Sequence, residues 1–225
     1  MTSAIEKRIF RSMKNYQDRI YKILSSADID VDTNGLPLSY ILLLRLKQSF
    51  DSIPILMRKG YFIESNSICR IILEQLAYSI AIHDKSYDEI DKISVTKSIK
   101  YLKIIDEDSP GLYGLLSAYT HLDSKGINSV ISFRDLGENC LEVGLKEYIR
   151  DTSNDILNIY VLLTYLFYLV NKYIAEKHRL GNYNELIKIG TRLGNTINRS
   201  FNKLGINENP FHVGASASSR SAPNS

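Results

Sequence analysis

The chain of 225 residues has no tryptophan, four histidines, five prolines and two cysteines, Cys69 and Cys140. Two cysteines 71 positions apart form neither a disulfide framework nor a zinc-ligand set, so no covalent or metal staple is expected. The histidines at 83, 121, 178 and 212 show no HxxxH or HExxH spacing, which argues against a metal site and a cofactor held by one. The chain also lacks GxxxxGK[ST], GxGxxG and GxSxG, so a P-loop, a dinucleotide fold and a nucleophile elbow are set aside. Without tryptophan and with few aromatic clusters, a base-stacking platform is not expected, and the fifteen tyrosines fall mainly at core spacing on helix faces. The opening MTSAIEKRIF is charged and amphipathic and has no signal-peptide apolar core, which makes a reducing cytoplasm the expected compartment.

What is present is an uneven charge. Residues 1–24 hold six basic side chains (Lys7, Arg8, Arg11, Lys14, Arg19, Lys22) against Glu6 and Asp18, a net +4. Residues 182–225 hold Lys188, Arg192, Arg199, Lys203 and Arg220 against Glu185 and Glu208, a net +3. The whole chain carries +3, so residues 25–181 sum to −4. An acidic middle with basic ends points to an anionic partner met by the ends.

Hydrophobic periodicity predicts an all-α fold: an antiparallel bundle of about six or seven helices in one domain over 1–204, with a disordered tail at 205–225. Helices are expected at about 5–24, 38–59, 62–84, 87–105, 112–122, 146–178 and 184–204. Ile5, Ile9, Met13, Tyr16, Ile20, Ile23 and Leu24 form the inner face of the first. Pro54 falls inside the second and is expected to kink it, and Gly60 is a natural stop. Asn66, Arg70 and Glu74 form a narrow polar stripe on the third. Residues 123–145 break the helical pattern. There, 130–133 and 140–143 fit either a short hairpin or a long irregular loop.

The segment IYVLLTYLFYLV, Ile159 to Val170, is apolar apart from Thr164. Twelve residues fall short of the roughly 20 a bilayer span needs, and extension takes in Asn158, Asn171 and Lys172. A helix buried inside the bundle is expected, with membrane embedding as the alternative.

Two groups of residues are candidate sites. Lys188, Arg192, Arg199 and Lys203 fall within about 60° of arc on the last helix, opposite Leu186, Ile189, Leu193, Ile197, Phe201 and Leu204. Such a line of cations suits phosphates, although solvated helix faces carry the same residues. Gly190 and Gly194 in the same helix form a GxxxG, which outside a long apolar segment means at most close helix packing. The second group is Arg70, Glu74 and His121. A guanidinium can hold a phosphodiester and an imidazole can move a proton near neutral pH, whereas the competing reading is a structural ion pair beside a surface histidine.

The stretch 49–82, with Arg70 and Glu74 as an R-x-x-x-E helix after a glycine turn, resembles a pattern in uncharacterised bacterial helical proteins. The later Tyr113, Leu116, Ser117 and His121 extend it. This arrangement, over roughly 38–180, is similar to the wider group of HEPN-like helical bundles, many linked to bacterial toxin and phage-defence systems. The resemblance implies an RNA partner, with Arg70, Glu74 and His121 as the polar centre. The ribonucleases of that group carry Arg four to six residues before His, and no histidine here does; Lys172 with His178 comes nearest. Metal-independent RNA cleavage is one expectation and RNA binding without chemistry another. A helical interaction or oligomerisation module is the alternative from a different class, and membrane association a third.

Overall fold

The protein is an all-α bundle with one small hairpin. The computed structural model describes residues 4–27, 29, 34–120, 131–137, 140–145 and 150–204; in 131–137, 140–145, 150–154 and 200–204 it describes the backbone alone. His121 and the expected tail at 205–225 lie outside the described residues.

Helix α1, Ala4–Ser25, buries Ile9, Phe10, Met13, Ile20, Tyr21, Ile23 and Leu24. Ile5 departs from the expected inner face and is 48% exposed in the first turn. Helix α2, Gly35–Arg58, runs through Pro54 as one element. It ends in a left-handed turn at Gly60, where φ is +78°. The amides of Gly60 and Tyr61 reach back to the carbonyls of Met57 and Leu56, closing the C-terminus. Helix α3, Phe62–Ile82, then returns antiparallel along α2. Ser39, near the start of α2, donates to the carbonyl of Ser79, near the end of α3, at 2.9 Å. The polar stripe on α3 is narrower than the spacing implies, because Asn66 is buried and only Arg70 and Glu74 reach the edge.

The single helix expected over 87–105 is two elements. Helix α4, Tyr87–Ile90, starts on a capping box in which the Glu89 side chain accepts from Ser86. A 3₁₀ helix follows at Thr96–Ile104. The sequence between them, Ile93-Ser94-Val95, is β-branched and hydroxylated, and Ser98 Oγ donates to the Ser94 carbonyl, so local side-chain bonding competes with a continuous α-helix. Ile90, Ile99 and Leu102 are nevertheless buried, and Lys92, Lys97, Lys100 and Lys103 exposed. Helix α5, Ser109–Thr120, begins three residues before the expected 112. Pro110 sits in its first turn, where no amide donor is missed.

Strands β1, Ile131–Gly137, and β2, Cys140–Leu145, pair antiparallel with Phe133 opposite Val143. Of the two readings of 123–145, the hairpin therefore holds for the described part. Helix α6, Arg150–Lys177, is the centre of the bundle and touches α1, α2 and α3. Its stretch from Asp155 to Lys177 is long and apolar enough to cross a membrane, yet 67% of the apolar window is buried against the other helices. Phe50, Tyr160 and Phe167 form its aromatic centre, with ring centroids 5.5–5.9 Å apart. Inside this apolar core, Gln17 donates to Thr164 at 2.8 Å and accepts from the Tyr160 hydroxyl at 3.2 Å. A buried amide is tolerated there because both ends of its side chain are satisfied. Helix α7, Tyr183–Leu204, closes the bundle against α6 and α1.

Candidate functional site

Arg70 and Glu74 are one turn apart on α3, so the pair forms within the helix, with Nε to Oε1 at 3.1 Å. Helix α5 lies across this face and supplies the other partners. Arg70 Nη2 donates to the Tyr113 hydroxyl at 3.0 Å, and Nη1 to Thr120 Oγ1 at 3.3 Å. The Tyr113 hydroxyl in turn donates to Glu74 Oε1 at 3.1 Å. The guanidinium carbon lies 5.1 Å from the Tyr113 ring centre. Side-chain exposures of 23% and 18% make Arg70 and Glu74 half-buried. Burial opposes the guanidinium charge, but the hydrogen bonds to Tyr113 and Glu74 outweigh it and raise the Arg70 pKa above its ordinary value.

The cluster is thus a ring of donors and acceptors tying α3 to α5. Each guanidinium nitrogen faces an acceptor within the protein. Ser117, also on α5, has a buried hydroxyl with no partner among the described residues. His121 directly follows Thr120 in the chain and lies outside the described residues, so Arg70 and Glu74 are brought together and the third member is not placed.

The second candidate follows from the amphipathic pattern of α7. Leu186, Ile189, Leu193 and Ile197 are buried, and Lys188, Arg192 and Arg199 are exposed on the other side. Lys203 lies in the last turn, where the backbone alone is described. Gly190 permits the close packing its spacing suggested, since a Cβ there would run into the Tyr168 hydroxyl and ring.

What the spacing within α7 does not reveal is its neighbour. The Tyr16 hydroxyl of α1 donates to the Arg192 carbonyl at 3.0 Å and bonds Thr196 Oγ1 at 2.8 Å. At 100° per residue, Thr196 sits about 60° or less from Arg192 and Arg199 around α7, so the cationic side of α7 borders α1. Arg8, Arg19 and Lys22 of α1 are exposed as well. The two basic helices, at opposite ends of the sequence, form adjoining surfaces.

Histidines 83 and 178 form a pair that their spacing along the chain conceals. His83 follows α3 and His178 follows α6, and His83 Nδ1 lies 2.8 Å from His178 Nε2. The Tyr173 ring meets His83 edge-on at 5.6 Å. Burial lowers both imidazole pKa values; Asp84 acts the other way, and Lys177 reinforces the shift. Only the packing of two helix ends brings them together, and no short-range motif marks it. Among the described residues, no three His, Cys, Asp or Glu side chains gather as a metal would need.

Compared with family models, curated proteins and solved structures, the chain matches none.

Proposed function

We propose that this protein is a HEPN-like helical bundle of the cytoplasm that binds RNA through the joint basic face of α1 and α7. The supporting observation is the Tyr16 contact with Arg192 and Thr196, which brings the side of α1 that carries Arg8 and Arg19 next to Lys188, Arg192 and Arg199. Five cations on adjoining helix faces attract a phosphate backbone and release its counterions, with no need of base-specific groups. Binding is favoured over cleavage, because the Arg70 guanidinium is engaged with Glu74, Tyr113 and Thr120. A role in toxin or phage-defence systems follows from the resemblance alone.

The test is binding of single-stranded RNA across a salt series, comparing wild type with Lys188→Ala/Arg192→Ala/Arg199→Ala. For single strands the log–log salt slope falls by about 0.7 for each phosphate contact removed, so loss of three contacts flattens it by about 2. An unchanged slope in a folded variant refutes the face. Cleavage that needs no metal and disappears in His121→Ala would restore the ribonuclease reading.

A second reading has one observation in its favour. Ile41, Leu44 and Ile55 are exposed at 61%, 37% and 48% along one side of α2. That stripe suits a second copy or a partner protein. A stable oligomer, lost on Ile41→Lys/Ile55→Lys and indifferent to the α7 substitutions, would favour it.

A further inference from the structure

A groove of about 530 Å³ opens between α1 and α2, with Tyr160 of α6 among its lining residues. It is not part of the α1–α7 face. Lys14 lines it, whereas Tyr16, two positions on, points to α7, about 160° further round α1.

The charges in the groove do not cancel. Asp51 is its one acidic residue, and Lys14 and Lys47 both pair with it. Lys47 also bonds Asp18 at 3.1 Å, so this end is a self-contained cluster of four charges. Lys7, Arg11 and Arg58 also line the groove, and no acidic side chain is paired with them among the described residues. The remaining walls are apolar: Phe10, Pro54 and Ile55, the last 48% exposed.

The groove is poor in groups that would read a nucleobase edge. The Tyr160 hydroxyl is spent on Gln17, and the Asp51 carboxylate on the lysines. What it offers is three cations beside a hydrocarbon wall, in a volume that suits a small organic molecule. We propose that the groove binds a small organic phosphate with an apolar body, of the alkyl or aryl phosphate class. The phosphate sits on Lys7, Arg11 and Arg58, where arginine forks bind it bidentately. The body lies on Phe10, Pro54 and Ile55, displacing water chiefly from the exposed Ile55 side chain.

Such a molecule could be free in solution or the head of a lipid, and the experiment separates the two. Calorimetric titration of the full chain uses 1-naphthyl phosphate, inorganic phosphate, 1-naphthol and uridine monophosphate, with sedimentation on phosphatidic acid vesicles as a further arm. The expected result is that 1-naphthyl phosphate binds about tenfold or more tighter than each of the other three soluble probes, one decade being 1.4 kcal/mol. Arg11→Ala/Arg58→Ala, both at exposed positions, lowers that affinity about tenfold or more, and Ile55→Asp weakens it as well. The Lys188→Ala/Arg192→Ala/Arg199→Ala variant leaves it unchanged, so failure of the groove and failure of the RNA face are read separately. Vesicle binding that the groove substitutions also abolish, together with naphthyl phosphate binding, assigns the lipid source. Vesicle binding without naphthyl phosphate binding overturns the proposal, as does equal affinity for inorganic phosphate, naphthol or the nucleotide.

Discussion

Arg70 is the residue at which a catalytic and a structural reading part, and a double-mutant cycle with Tyr113 separates them. Tyr113→Phe removes one hydroxyl that accepts from Arg70 at 3.0 Å and donates to Glu74 at 3.1 Å, while leaving the ring under the guanidinium. Hydrogen bonds to charged groups contribute about 1.5–3 kcal/mol when buried. Arg70 and Glu74 retain 23% and 18% exposure and can recruit water, so the expected loss for Tyr113→Phe is about 1 kcal/mol. Arg70→Ala also removes the Thr120 and Glu74 bonds and the stacking on Tyr113, and should cost about 2 kcal/mol. The coupling between the two substitutions should be about 1 kcal/mol, since both break the same contact. Urea unfolding followed by circular dichroism measures each corner of the cycle, with RNA binding and cleavage assayed on the same four proteins. A structural tie predicts destabilisation with a clear coupling and unchanged RNA binding at a temperature where all four are folded. Stability of Arg70→Ala within about 0.3 kcal/mol of wild type, a difference within ordinary non-additivity, would refute the structural tie. Intact stability with loss of an RNA-cleaving activity would instead assign Arg70 to the chemistry.

Further outcomes follow from other packed positions. A Cβ at Gly35 would strike the backbone of Ile82 and Lys85, so Gly35→Ala should destabilise by about 3 kcal/mol in thermal or urea unfolding, whereas Gly111→Ala, which meets nothing, should not destabilise. The His83–His178 pair faces Asp84, Lys85, Lys177 and Tyr173, and burial depresses both imidazoles below their ordinary 6.5. The unfolded chain therefore binds more protons just below pH 6.5. The stability from this pair is full above that pH and is lost as pH falls through the depressed folded values. Melting temperature should fall more steeply between pH 6.5 and 5 in wild type than in His178→Gln, and parallel curves would refute the coupling. Cys69 is wholly buried and burial raises its thiol pKa, so in a Cys140→Ser background it should react with thiol reagents only as the protein opens. Rapid labelling under native conditions would contradict that packing.

The helical class and most helix positions were legible because each helix carries its own periodicity. On α7 the buried Leu186, Ile189, Leu193 and Ile197 alternate with exposed cations at 3.6-residue spacing, and no neighbour is needed to see it. The Gly60 stop and the closed α2–α3 turn were local in the same sense. The region 87–105 misled because its apolar spacing suits one helix, while the hydroxyls of Ser94 and Ser98 and the β-branched Ile93 and Val95 divert the backbone into a short α-helix and a 3₁₀ segment. Arg70 and Glu74 were visible as an i, i+4 pair; Tyr113 and Thr120, which complete their ring, are 43 and 50 residues from Arg70.

The sequence by itself determined the helices, their inner faces and the surplus of cations at both ends, because each depends on residues within a few turns of one another. Tertiary structure alone decided that α1 and α7 adjoin, that His83 meets His178 across 95 residues, and that Lys7, Arg11 and Arg58 border one apolar groove. Those depend on which helix faces pack together, and a period of 3.6 residues shows that a face is apolar without specifying the helix that covers it.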